Sequence, residues 1–213
     1  MATSLLASIN LSSSSLEKKR EITPTRREKL ARVALNRQND LTLVLENIHD
    51  PHNVSAILRS CDAVGMKRVS LLYNIEKFPK PGGKSSASAS KWMEVQKFKT
   101  VDECYNDLRE RGFVIAASYL DENSKSLYDI DFTGKVALVM GNEHRGISEE
   151  ALAKADFSYY IPMKGMIQSL NASVAAAVSV YEAFRQKLLS GHYDKPQLSA
   201  SEYEELLAKW VKK

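Results

Sequence analysis

The chain has 213 residues, 44% of them hydrophobic, a formal charge of +4 and two cysteines. That suits one packed domain with appendages. It excludes a disulfide-stapled scaffold, and no apolar run approaches the length of a membrane span, so a reducing, cytoplasmic setting is expected. No Cys/His spacing resembles a zinc site, and the expectation is that no metal is bound.

Residues 1–22 read as a disordered extension. Met1–Leu16 is rich in Ser and Ala and has no acid. It faintly resembles an organelle transit peptide but contains no Arg. Residues 23–40 read as a basic helix. The capping-box pattern Thr25-Arg-Arg-Glu28 opens it, and Leu30, Val33 and Ala34 form its apolar stripe. From Glu17 to Arg37 eight bases stand against three acids, a net +5. Such a segment is either a solvated helix face or a contact for a polyanion.

Residues 41–190 carry the core. Leu41–Leu45 predicts a buried strand, broken at Pro51. Asn53 is placed to cap a helix from about Val54 to Val64, stopped at Gly65. Ala56, Ile57 and Cys61 are assigned to its core face, with Arg59 one turn in. His52 is read as a core-facing loop histidine. Arg68–Tyr73 predicts a strand, and Asn74–Lys91 a long loop of the kind that is functional or mobile. A short strand follows over Trp92–Phe98. Val101–Arg111 predicts an amphipathic helix, Phe113–Ser118 and Lys135–Met140 buried strands. A helix starts near Ser148, and Tyr159–Ile161 forms a short strand. A long Ala/Val-rich helix spans Ser169–Leu189. Residues 191–213 supply a last amphipathic helix over Ser199–Val211, with Tyr203, Leu206, Leu207 and Trp210 on one side. Alternating helices and continuously apolar strands predict an α/β fold: a parallel sheet with helices on both faces.

Three turns after strands concentrate unusual residues. The first runs from Asn47 to Arg59. The second is Gly141-Asn-Glu-His-Arg-Gly146, which lacks both the phosphate-loop ending and the dinucleotide glycine spacing. The third, Ile161-Pro-Met-Lys-Gly-Met-Ile-Gln-Ser-Leu-Asn171, has no acid, which points away from a metal site. Ser169 either caps a helix or, with Asn171, presents free N–H groups to an anion.

In this order the three turns resemble the motifs of the SpoU family of RNA ribose 2′-O-methyltransferases. The basic first helix, the Ser-rich loop ending in Lys91-Trp92 and the tail Gly191-His-Tyr-Asp-Lys-Pro196 resemble its bacterial tRNA-modifying branch. The resemblance covers about Arg26 to Trp210. It implies a C-terminal trefoil knot from the Gly141 turn through the Ser169 helix. It also implies S-adenosylmethionine as cofactor, held from around Ser118, Gly141, Ile161 and Leu170. A homodimer is implied, with tRNA as partner and its D-loop guanosine as substrate. Arg26, Arg27, Lys29, Arg37 and Arg185 are the implied RNA contacts.

The resemblance makes Arg59 the residue that activates the hydroxyl. A guanidinium is protonated at ordinary pH, so two mechanisms stay open. Arg59 is transiently deprotonated, or it remains charged and stabilises the forming alkoxide while a phosphate oxygen takes the proton. Asn53, Ser169 and Asn171 position ribose and phosphate, and Glu143 orients Arg59 or holds the loop. The alternatives are an rRNA ribose methyltransferase and a catalytically silent RNA-binding protein.

Overall fold

Seven strands form one sheet in the order β3-β2-β1-β6-β4-β7-β5, every pairing parallel. They are β1 (Leu41–Glu46), β2 (Arg68–Leu72), β3 (Glu94–Phe98), β4 (Val114–Ser118), β5 (Lys125–Ser126), β6 (Val136–Met140) and β7 (Phe157–Tyr160). This computed structural model describes residues 22–79 and 89–213. The extension expected at 1–22 and the Ser-rich part of the loop expected at 74–91 lie almost wholly outside those residues.

The central strands are buried on both faces because helices cover both. All six residues of β1 and all five of β6 are buried, as the unbroken apolar runs require. On one face lie α2 (Pro51–Ala63), the short α3 (Ala89–Trp92) and α6 (Ala172–Leu189), packed over Leu43, Leu45, Val69 and Leu138. On the other lie α4 (Val101–Glu110) and α5 (Glu149–Lys154), over Val44, Ile115 and Val139. Fully buried side chains such as Ile57 and Leu138 anchor these layers; truncating one to Ala costs about 2–5 kcal/mol.

Two remaining helices, α1 (Pro24–Leu35) and α7 (Ala200–Val211), pair outside the sheet. Leu30, Ala31 and Ala34 meet Tyr203, Leu206, Leu207 and Trp210 in a separate small core. Both tryptophans of the chain belong to it, Trp92 and Trp210 stacking edge to face at 5.6 Å.

Several boundaries differ from the sequence expectation, each for a local reason. Helix α1 is capped by Thr23, whose hydroxyl accepts from the Arg26 N–H, with Pro24 in the first turn. Thr25 is inside the helix. Helix α2 is capped by Asp50 and begins at Pro51, so the proline opens the helix and Asn53 lies within its first turn. Ala56 is consequently exposed, and His52 is exposed too. Helix α6 starts at Ala172, capped by Asn171 through the Ser173 N–H at 2.8 Å, leaving Ser169 in the preceding loop. Trp92 ends α3 and does not open a strand. The two-residue β5 carries too little periodicity to be read from sequence.

The largest correction concerns Arg37, expected as an RNA contact. It is fully buried. Its guanidinium donates to Asp62 at 2.5 Å and to the Met66 carbonyl at 3.0 Å, and lies over the Trp210 ring at 5.1 Å. A buried guanidinium must be paired, and this one fastens the α1–α7 unit to α2. Arg37 is therefore a structural strut.

A second strut is titratable. Glu202, at the start of α7, accepts from Lys67 Nζ at 2.9 Å, from the Ser199 N–H at 2.9 Å and from Asn39 at 3.0 Å. The Lys67 ammonium, foremost, pushes its carboxyl down to about 2 from the ordinary 4.5. A depressed carboxylate stabilises the fold fully above its unfolded pKa and loses that contribution as pH falls through the folded value. The Glu202 contribution should thus be complete above about pH 4.5 and fade towards about pH 2. Glu202→Gln should lower the urea midpoint of tryptophan fluorescence at pH 7, and the gap to the parent should narrow steadily below pH 4. An equal gap at both ends would show that Glu202 acts by shape alone.

Candidate active site

Because all strands run parallel, their carboxyl ends lie on one edge. In the sheet order β2-β1-β6-β4-β7 that edge presents, side by side, Asn74, Asn47, Gly141, Ser118 and Ile161. The chain winds from β1 outward through β2 and β3, then returns to place β6 on the other side of β1. Crevices at such reversals are where open α/β sheets bind ligands. The first two motif turns meet at this reversal.

Asn47 organises the junction. It adopts φ +50°, the one non-glycine residue with positive φ among the described residues, and is buried. Its side-chain oxygen accepts from the N–H groups of Ile75 and Glu76, and its amide donates to Asn74. Its carbonyl accepts from Asn142 Nδ2 at 2.7 Å. Asn142 in turn accepts from the N–H groups of His144 and Arg145. Three loops are thus fixed to one residue. Asn tolerates the left-handed region better than most residues, which is the sequence signal that could have singled out Asn47.

Glu143 reaches from the second turn into the first. Its carboxylate accepts from the His49 N–H at 2.8 Å, the Asp50 N–H at 3.2 Å and Asn53 Nδ2 at 2.8 Å. Partial burial opposes its ionisation, but the donors from Asn53, His49 and Asp50 prevail and keep its carboxyl below the ordinary range. Asn53 Oδ1 accepts from Asn171 Nδ2 at 3.2 Å. One chain of hydrogen bonds therefore links Glu143, Asn53 and Asn171, from the three separate motifs.

Arg59 and Ser169 are not joined to that chain. With α2 starting at Pro51, Arg59 is its ninth residue, two turns in, and is exposed. It stands about 9 Å along the axis from Asn53 at the usual helical rise. Six residues also set the two side chains about 120° apart around the helix, Asn53 facing inward and Arg59 outward. No hydrogen bond or ion pair holds it among the described residues, so its charge is available to a ligand. Ser169 is exposed, and Leu170 half-buried.

The expected cofactor contacts occupy neighbouring strand ends. Ser118 closes β4 beside Tyr159 of β7, Gly141 follows β6, and Ile161 follows β7. Between Ile161 and Leu170 no backbone group takes part in a hydrogen bond among the described residues, leaving N–H and C=O groups open to a ligand. A cofactor bound mainly through backbone groups fits such a segment. Gly141 is packed tightly: a Cβ there would run into the backbone of Gly146 and Ile147. Among the described residues no group of three His, Cys, Asp or Glu could hold a metal ion.

Of the expected RNA contacts, Arg26, Arg27 and Lys29 are exposed along α1, while Arg185 is exposed on α6 and paired with Glu182 at 2.7 Å.

Comparison with known proteins points the same way as this geometry. Residues 40–181, more than half of the chain, match the model of the SpoU rRNA Methylase family. The tRNA (guanosine(18)-2′-O)-methyltransferase of Thermus thermophilus is 44% identical over 194 residues, which cover 91% of this chain and 100% of that one. The fold is similar to that of the A. aeolicus TrmH/SpoU tRNA modifying enzyme, with a TM-score of 0.83, 37% identity, and coverage of 88% of this chain and 95% of that one. It is also similar to the SpoU methyltransferase AviRb from Streptomyces viridochromogenes, determined in complex with AdoMet, with a TM-score of 0.65 and 26% identity, covering 71% and 62% of the two chains. The chain belongs to the SpoU family of methyltransferases.

Proposed function

We propose that this chain transfers a methyl group from S-adenosylmethionine to the ribose 2′-hydroxyl of guanosine 18 in tRNA. The observation that carries the reading is the bonded chain Glu143–Asn53–Asn171, which draws all three motifs to one crevice. The 44% identity to a tRNA (guanosine(18)-2′-O)-methyltransferase along its whole length supports the substrate.

The cofactor's sulfonium supplies an already activated methyl group. The task left to the protein is to raise the nucleophilicity of a ribose hydroxyl. Arg59, exposed and without a hydrogen-bond or ion-pair partner among the described residues, activates the hydroxyl: it either accepts the proton or stabilises the alkoxide while a phosphate oxygen takes the proton. Asn53 and Asn171 hold ribose and phosphate, with Ser169 closing the contact from the loop. Glu143 holds the first turn, since its oxygens are committed to His49, Asp50 and Asn53. Backbone groups from Ile161 to Leu170, with Ser118 and Gly141, cradle the cofactor.

Residues 41–190 form the catalytic unit, with the stretch from Gly141 through α6 threaded as a trefoil knot. Family membership supports that threading. The protein acts as a homodimer in the cytoplasm. Val174, Tyr181 and Leu188 recur every seven residues on α6 and are 46%, 49% and 48% exposed, an apolar stripe suited to a second copy. Cys61 and Cys104 are free thiols, in keeping with a reducing compartment. No helix among the described residues is long and apolar enough to cross a membrane.

The exposed bases of α1 serve the tRNA. Changing Arg26, Arg27 and Lys29 together to Ala should weaken tRNA binding and flatten the slope of log affinity against log salt by about two to three, since fewer counterions are released. Cofactor affinity should stay unchanged. An unaltered slope would assign these residues to a solvated face. Purified protein, radiolabelled cofactor and equimolar tRNA or ribosomal RNA test the substrate class. Label should enter tRNA; label in ribosomal RNA alone would favour the rRNA reading, and none in either the silent one.

A further inference from the structure

Around the rim of the crevice, two loops bring basic groups to a single carboxylate on a third. Glu76, after β2, accepts from Arg145 of the second turn at 2.8 Å. His49 Nδ1, from the first turn, lies 3.7 Å from the same carboxylate. The His144 ring stands edge-on to His49 with centroids 6.3 Å apart. Arg145 and His49 are 50% and 63% exposed, whereas Glu76 is 27% exposed beneath them. The arrangement is built into the fold. The Glu76 and Arg145 N–H groups are fixed, directly and through Asn142, to the buried hub Asn47. Glu143, two residues from Arg145, is bonded to Asn53.

A carboxylate paired with a guanidinium is a chemical stand-in for a phosphate diester, another anion that guanidinium binds well. We propose that Arg145, flanked by His49 and His144, is a contact for the RNA phosphate next to the target nucleotide, and that Glu76 occupies this contact until RNA displaces it. The inference rests on the RNA-methylating reading of the crevice. It assigns Arg145 to substrate positioning and gives Glu76 an opposing role.

The opposition makes the test sharp, because a merely structural ion pair would respond alike to loss of either partner. The full-length protein is titrated with tRNA over a range of salt. Arg145→Ala should weaken binding and reduce the slope of log affinity against log salt by about one. Arg145→Lys should keep the slope. Glu76→Gln should tighten binding by up to about fivefold, the size of an exposed ion pair, and the double variant should behave as Arg145→Ala. Cofactor affinity, measured in each, controls for folding. Weaker binding in both single variants, or an unchanged slope in Arg145→Ala, overturns the proposal. Methyl transfer by the parent protein is scored separately. A parent that binds tRNA yet transfers nothing refutes the functional reading, while the two opposite shifts still decide the phosphate contact.

Discussion

Arg59→Ala should abolish methyl transfer while leaving fold, cofactor affinity and tRNA affinity nearly intact. Arg59 is exposed on α2 and bonded to nothing among the described residues, so its removal leaves no partner orphaned and opens no cavity. Surface changes of that kind shift stability by less than about 0.5 kcal/mol. If the guanidinium activates the hydroxyl, single-turnover transfer with saturating tRNA and cofactor should fall at least about a hundredfold, the lower range for a positioned acid–base group. Arg59→Lys separates the two mechanisms. Lysine keeps the charge and loses its proton more readily, but lacks the planar fork. Activity in the Lys variant that rises with pH supports a deprotonated base. Activity near zero at every pH supports a charged guanidinium acting through its fork. Parent-like transfer by Arg59→Ala would remove Arg59 from the mechanism.

Gly141→Val should eliminate cofactor binding. The new side chain cannot be accommodated by a rotamer change, because its Cβ already collides with backbone atoms of Gly146 and Ile147. The turn from Gly141 to Ile147 has to open, which breaks the paired Asn142–Gly146 hydrogen bonds and carries Glu143 away from Asn53. Calorimetry should show cofactor affinity falling by at least about a hundredfold, equivalent to roughly 2.7 kcal/mol. Gly146→Ala is the control. It has φ +69° but nothing within 4 Å of a Cβ, so it bears only the roughly 1–2 kcal/mol strain of a left-handed residue. Unchanged affinity in Gly141→Val would place the cofactor elsewhere.

Much of this architecture is legible in the chain. The runs Leu41–Leu45 and Lys135–Met140 announce strands buried on both faces, and both lie at the centre of the sheet. The motif residues Asn53, Glu143 and Asn171 can be picked out singly, but only folding shows that they touch. Cap identities at α2 and α6 shift by a few residues: Pro51 in the first turn sets the start of α2 behind Asp50, and Asn171 caps α6 two residues after Ser169. Arg37 shows the limit most plainly. A basic residue in a basic segment reads as surface, and nothing local reveals that Asp62, Met66 and Trp210 will enclose it. Asn47 and Arg145 escape notice for a related reason: their work is done across loops about thirty and seventy residues distant in sequence.

Methyl incorporation into tRNA carrying ordinary guanosine at position 18, compared with the same tRNA carrying 2′-deoxyguanosine there, tests the central claim most directly. The two substrates differ by the one oxygen that is proposed to receive the methyl group. The account predicts one methyl group per molecule of ordinary tRNA, recovered as 2′-O-methylguanosine, and none in the deoxy substrate. Equal incorporation into both would contradict it.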